Sequence, residues 1–158
     1  MADAPRTLYI AAWDDRFLAW LVDVVLVGAI VASIATATGL RSAVFDPITY
    51  APPTVGGNGL ALFVYWTALE GYQGQSAGKL VVDVAVTDER GDPIGYGTAA
   101  VESFGKAFLL PLDVIIGVLA YEEEGLRLFN KLSSTIVVET ADTETQPEGV
   151  EYVYPSEK

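Results

Sequence analysis

The chain has 158 residues, 51% of them hydrophobic, a formal net charge of −12 from 9 basic and 21 acidic residues, and neither cysteine nor histidine. That length predicts one domain. The missing residue types exclude disulfides, thiol nucleophiles, zinc sites of the usual kind, haem ligation through histidine and every Ser-His-Asp scheme. The acidity argues against nucleic acid as a partner. An enzyme would have only carboxylates, lysine, tyrosine and hydroxyls to work with, so no enzymatic activity, cofactor or metal is expected.

The charge lies almost wholly outside the apolar runs. An apolar middle with strongly acidic flanks predicts a membrane protein whose wet parts are hydrated by carboxylates. Such a surface suits a high-salt interior, where screening relieves self-repulsion, and a halophilic archaeon is the expected source.

Residues 1–16 are short and polar and lack the charged start, apolar middle and cleavage site of a secretory signal. Tyr9, Trp13 and Trp20 suit the water–lipid interface. Residues 17–39 form a long apolar run with one internal charge, Asp23, and Arg16 at its entrance. Spanning a bilayer needs roughly 20 such residues, and an acid inside costs about 2.5–3.5 kcal/mol on insertion scales. Positions 13, 16, 20 and 23 fall on one helical face. Gly28, Ala32 and Thr36 recur every four residues, a spacing that lets another helix approach closely. Gly39 stands where a C-terminal glycine cap is expected.

Residues 40–58 carry the turn signals Asp46-Pro47, Pro52-Pro53 and Gly56-Gly57-Asn58-Gly59. A second apolar run, residues 60–72, is short for a span and is lengthened if 55–59 join it; Glu70 near its far end is expected at the interface. Residues 71–79 resemble a phosphate loop only superficially. Gln73 stands where the motif needs its first glycine, and Leu80 replaces the magnesium-holding Ser or Thr. These glycines read as a turn leaving the membrane.

Residues 80–87 read as a valine-rich strand, 88–93 as a turn, and a helix is expected to start at Thr98 as N-cap. The third apolar stretch, residues 105–121, is interrupted by Lys106, Pro111 and Asp113. Thr135–Glu139 is a second strand whose natural mate is 81–86. Residues 140–158 form an acidic tail expected to be mostly disordered, with a possible short strand at 150–154.

Arg41 is the only basic residue between the first two runs. The positive-inside rule therefore puts both termini in the cytoplasm and residues 40–58 outside. The strand pair requires one side for both strands. The third stretch has too few apolar residues on either side of Asp113 for two crossings, so it reads as a bent, re-entrant or interfacial pair of half-helices. A single third crossing with an external C-terminus is the competing reading. The expected fold is thus a mainly α membrane protein. It has two transmembrane helices, a bent re-entrant or third membrane segment, and a small two-stranded β element on the cytoplasmic side.

Three blocks together resemble the RDD family of small membrane proteins, named for an arginine and two aspartates. They are Arg16-Phe-Leu-Ala-Trp-Leu-Val-Asp23, then Gly74-Gln-Ser-Ala-Gly-Lys79 with the valine-rich sequence and the Gly91-Asp-Pro turn, then Arg127-Leu-Phe-Asn-Lys-Leu-Ser-Ser-Thr135 with Ile-Val-Val. The likeness covers roughly residues 8–139, so residues 1–139 read as an RDD-like membrane domain and 140–158 as its tail. Asn130 departs from it, standing where the family's second aspartate is expected, with Asp113 the nearest substitute. The resemblance implies a membrane protein with ion or ligand transport suggested.

Arg16 and Asp23 are about 10 Å apart along a straight helix at ~1.5 Å per residue, so each needs a partner elsewhere. Asp23 is expected to pair with Lys106 or Lys79, and Arg16 with Asp113 or Glu70. In a transport reading, Asp23 and Asp113 carry a proton or sodium, Arg16 and Lys106 tune them, and Gly28, Ala32 and Thr36 join copies in an oligomer. In a structural reading, Arg16, Asp23, Lys79, Asp113 and Arg127 form a buried ion-pair network in an assembly, anchoring or regulatory subunit, with Asn130 beside it. A third reading makes residues 17–39 the core helix of a soluble domain. The expected partners are the lipid bilayer and a second copy or another membrane protein.

Overall fold

The computed structural model describes residues 6–39, 57–109, 115, 128–140 and 150–154. Its first helix, α1, runs Trp13–Thr38, where no proline or internal glycine pair interrupts the apolar run. Gly39 ends it in the left-handed region with φ 73° and donates its N–H to the Thr36 carbonyl. The hydroxyls of Ser33, Thr36 and Thr38 each donate to the carbonyl one turn earlier, so none demands water. Among the described residues, α1 is the one helix long and apolar enough to cross a membrane.

Helix α2 spans Gly57–Gln73 and takes in the second apolar run. It ends at Gly74, whose φ of 73° and close approach to the Val86 carbonyl leave no room for a Cβ. A short helix α3, Ala77–Val81, follows at once because Ser76 caps it, its Oγ accepting from Lys79 N at 3.3 Å. This corrects the expected strand start: Leu80 and Val81 are helical, and strand β2 is Val84–Asp88.

Helix α4 spans Tyr96–Phe108 with Gly95 as its cap, earlier than the expected start at Thr98, because Ala99 N already bonds the Gly95 carbonyl at 2.9 Å. It packs along α2. The chain comes back to α4 at α5, Leu128–Leu132, where the Phe129 ring lies tilted against Phe104 and fills the space a side chain on Gly105 would need. The rest of the third apolar stretch, with Pro111 and Asp113, lies outside the described residues, as do Arg41, Arg127 and most of the loop at 40–58.

Strand β3, Thr135–Glu139, pairs antiparallel with β2, Val84 opposite Glu139 and Asp88 opposite Thr135. The expected partnership is present, shifted by the residues α3 consumes. Two further strands went unforeseen as a pair. Strand β1, Arg6–Tyr9, and strand β4, Val150–Val153, run parallel, Thr7 opposite Glu151 and Leu8 opposite Tyr152. A bridge between Ile10 and Val138, with Ala11 N bonded to the Val137 carbonyl at 2.9 Å, sets β1 beside β3. Alternation sends Val137 to one face with Val84, Val86, Ile94 and Ala99, and Ile136 and Val138 to the other with Leu8 and Ile10.

The helices have their own core. Val27, Leu62, Trp66 and Ala107 meet there, flanked by Trp20, Val24 and Phe63. The packed face of α1 is Arg16, Ala19, Asp23, Val27 and Ala35, so Arg16 and Asp23 do share a face as their spacing predicts. Gly28, Ala32 and Thr36 lie off that face: a side chain added at Gly28 would meet nothing within 4 Å, and Thr36 is exposed. Among the described residues no helix of this chain packs on Gly28.

Candidate functional site: two buried polar centres joined by Trp66

The first centre is built around Asp23, 1% exposed. Its Oδ1 accepts from Tyr65 Oη at 2.8 Å and Gly78 N at 2.7 Å. Its Oδ2 accepts from Trp66 Nε1 at 2.8 Å and Ser76 Oγ at 2.6 Å. Tyr65 Oη in turn accepts from Ala77 N at 2.9 Å. The carboxylate thus fastens α1 to α2 and to the segment that opens α3. Gly78 is required by closeness, because a Cβ there would run into the Ala19 carbonyl oxygen.

All four donors are neutral. The expected pairing of Asp23 with Lys79 or Lys106 is therefore incorrect, for a physical reason. Four charge-assisted hydrogen bonds satisfy a buried carboxylate without a cation, and the two lysines are engaged elsewhere.

The second centre gathers those lysines. Glu70 of α2 is fully buried, and its Oε1 meets Lys79 Nζ at 3.0 Å and Lys106 Nζ at 2.6 Å. Lys106 also meets Glu102 Oε2 at 3.0 Å, one turn away on α4. Two acids and two bases thus cancel in charge inside the helix packing, where unpaired ions would each cost several kcal/mol. Burial pushes the Lys79 ammonium down to about 8, against the pull of Glu70. Glu70 was expected at the interface or with Arg16; instead it is the hub of this quartet. Glu102 escaped notice although it stands four residues before Lys106, a spacing that pairs side chains on a helix.

Trp66 touches both centres. Its N–H serves Asp23, while its ring carries Lys106 Nζ 4.6 Å from the centroid.

Arg16 belongs to a different junction. Its Nη2 reaches the Val137 carbonyl at 3.5 Å, and its guanidinium lies 5.4 Å from the Trp13 ring centroid, tying the start of α1 to β3. Asn130 is fully buried within α5 and donates from Nδ2 across the turn to Thr135 Oγ1 at 3.0 Å, with Ser133 Oγ 2.8 Å from the same oxygen. Asp113 and Arg127 lie outside the described residues. Of the expected site residues, then, Lys79 and Lys106 meet around Glu70, whereas Asp23 and Arg16 anchor separate contacts.

These features define a mainly helical, membrane-associated protein with a candidate spanning helix and a buried polar interior. The chain belongs to the RDD family, whose model matches residues 10–131. No curated protein and no solved structure matches the chain.

Proposed function

We propose that this is a multi-pass integral membrane protein, both termini cytoplasmic, that exchanges a proton for a cation as an oligomer, with the Glu70–Lys79–Glu102–Lys106 quartet as the titrating centre. The observation that carries the reading is inverted polarity. Helix α4 buries Glu102, Ser103 and Lys106 and exposes Tyr96, Val101 and Phe104. Helix α2 buries Glu70 and exposes Leu60 and Val64, and α1 buries Asp23 and exposes Leu21, Val25, Ile30 and Ile34. In water such helices would turn over; in hydrocarbon this is the favoured arrangement, with ionisable groups facing the bundle interior. The side-by-side β1, β3 and β4 support an even number of crossings between them, and the return of α5 to α4 supports a re-entrant third segment.

Exchange needs a group that releases its proton near neutral pH, and burial pushes Lys79 down to about 8, toward that range. Oligomerisation would add charged groups to the parts of α1 and α2 that carry none of their own. Beyond Asp23, α1 carries no charged side chain, and α2 carries none before Glu70.

A second reading is favoured by the saturated hydrogen bonding of Asp23: a non-enzymatic structural, assembly or regulatory subunit whose buried charges only fix helix docking. Proteoliposome flux separates the two. The exchange reading expects a sodium-dependent pH change with the unaltered protein and a loss of more than about tenfold with Glu70→Gln, the scale of removing an essential proton-transfer group. The structural reading expects no flux from the unaltered protein and only lowered thermal stability in Glu70→Gln and Asp23→Asn. Flux that survives Asp23→Asn leaves Asp23 as a clasp alone.

A further inference from the structure

We propose that Trp66 couples the two buried centres, so that the charge arrangement around Lys106 sets the strength of the hydrogen bond that closes α2 onto Asp23. The proposal goes beyond the exchange reading and holds equally if the protein only assembles. Two contacts made by one rigid ring carry it. The indole N–H donates to Asp23 Oδ2 at 2.8 Å, and the ring supports Lys106 Nζ 4.6 Å from its centroid. Trp66 is 1% exposed, so no water competes at either contact.

The physical link is polarisation. A cation at the face of an aromatic ring is drawn to its π electrons and pulls density from the ring. An indole depleted in this way is a stronger N–H donor, and in a low-dielectric interior neighbouring hydrogen bonds strengthen one another. A stronger donor holds the Asp23 carboxylate more firmly, and with it the contact between α1 and α2. Phenylalanine would keep the ring under Lys106 and lose the donor; a hydroxyl or amide would keep a donor and lose the ring. Tryptophan does both.

Among the described residues, the charged groups that meet Lys106 and its partner Glu70 come from three helices. Glu70 of α2 bonds it directly, Glu102 of α4 pairs with it one turn away, and Lys79 of α3 competes with it for Glu70. On the far edge of the ring stand Asp23 of α1 and the Tyr65 hydroxyl of α2. When Lys79 gives up its proton, Lys106 remains as the cation on Glu70 among the described residues, and the field at the ring changes. Burial places that event near pH 8.

The test reads the hydrogen bond itself, through the indole N–H resonances of the full-length chain in detergent. There are three tryptophans, and Trp66→Phe assigns the signal by removing it. The expected result is that the Trp66 N–H resonance moves by more than its linewidth as pH crosses the Lys79 titration, and moves again in Lys106→Met, although Lys106 never touches the N–H. Asp23→Asn, which changes the acceptor, serves as the positive control. A Trp66 resonance that stays put both across the titration and in Lys106→Met, while responding to Asp23→Asn, makes Trp66 a packing residue and overturns the proposal. The titration of the unaltered protein alone decides the matter should Lys106→Met fail to fold. Since nothing here depends on flux, failure of the exchange reading leaves this result standing, and the reverse also holds.

Discussion

Asp23 shows how far a single residue's role can be read before its neighbours are placed. A lone acid in an apolar run announces that it needs partners. Its actual donors, Tyr65, Trp66, Ser76 and Gly78, carry no charge, and nothing in their local sequence marks them as a set. They converge only because α2 stops at Gly74 and Ser76 starts a new helix within two residues. Gly78 is the sharpest point of that convergence. Gly78→Ala should push α3 away from the Ala19 carbonyl and stretch the Gly78–Asp23 bond, costing about 3 kcal/mol, the upper end for overpacking a close contact. Thermal unfolding in detergent checks this, and an unchanged midpoint would show that α1 and α3 can separate freely. Asn130 illustrates the opposite case. Its departure from the family pattern was legible at once, while its job, a local bond to Thr135, was not.

At the scale of elements, periodicity located α1, α2 and β3 well because each is a continuous apolar or β-branched run. It failed at residues 77–81, where valine and leucine suggest a strand but the Ser76 cap imposes a helical turn. It also failed at β1, four residues too short to show alternation. Helix α4 was expected to begin late because Thr98 looks like a cap, yet the Gly95 carbonyl accepts the first helical bond. The ionic content of these helices has a measurable consequence. Burial pushes the Lys79 ammonium down to about 8 in the folded protein, below its ordinary 10.5 in the unfolded chain. Below pH 8 both states hold the proton and the folded state bears the cost of burying it. Between those values the folded state sheds its proton first, so stability rises with pH across that window and levels off above it. Thermal midpoints measured from pH 7 to 11 should show this rise, and Lys79→Met should abolish it. A rise that persists in Lys79→Met assigns the titration to another group.

For the whole molecule, the sequence conveyed class and family and left the arrangement of the ends unread. Charge counting placed both termini on one side, but the parallel ladder of β1 and β4 is a contact between residues at opposite ends of the chain, and no local pattern signals such a pair. The chain contains no cysteine, so single introduced thiols report sidedness cleanly. Thr7→Cys and Glu151→Cys should react together with a membrane-impermeant reagent on one face of oriented vesicles, the cytoplasmic face in the proposed topology. Labelling from opposite faces would require an odd number of crossings between them and would break the ladder.

That ladder also sets a timetable. Strand β1 is made before either of its partners, since its flank on β3 waits for residues 135–139 and its other partner, β4, for Val150–Val153. During all that time α1, which begins three residues after Ile10, carries an unpaired strand at its start. The β1–β4 ladder therefore closes only after every helix described between them has been made. Its closure brings Tyr152 onto Leu8, Ile10, Ile136 and Val138, and its hydroxyl onto the Glu89 carbonyl. Strands β1 and β4 together form a seam between segments that flank the helices in sequence. A truncation before Val150 would remove β4 and leave β1 flanked by β3 alone.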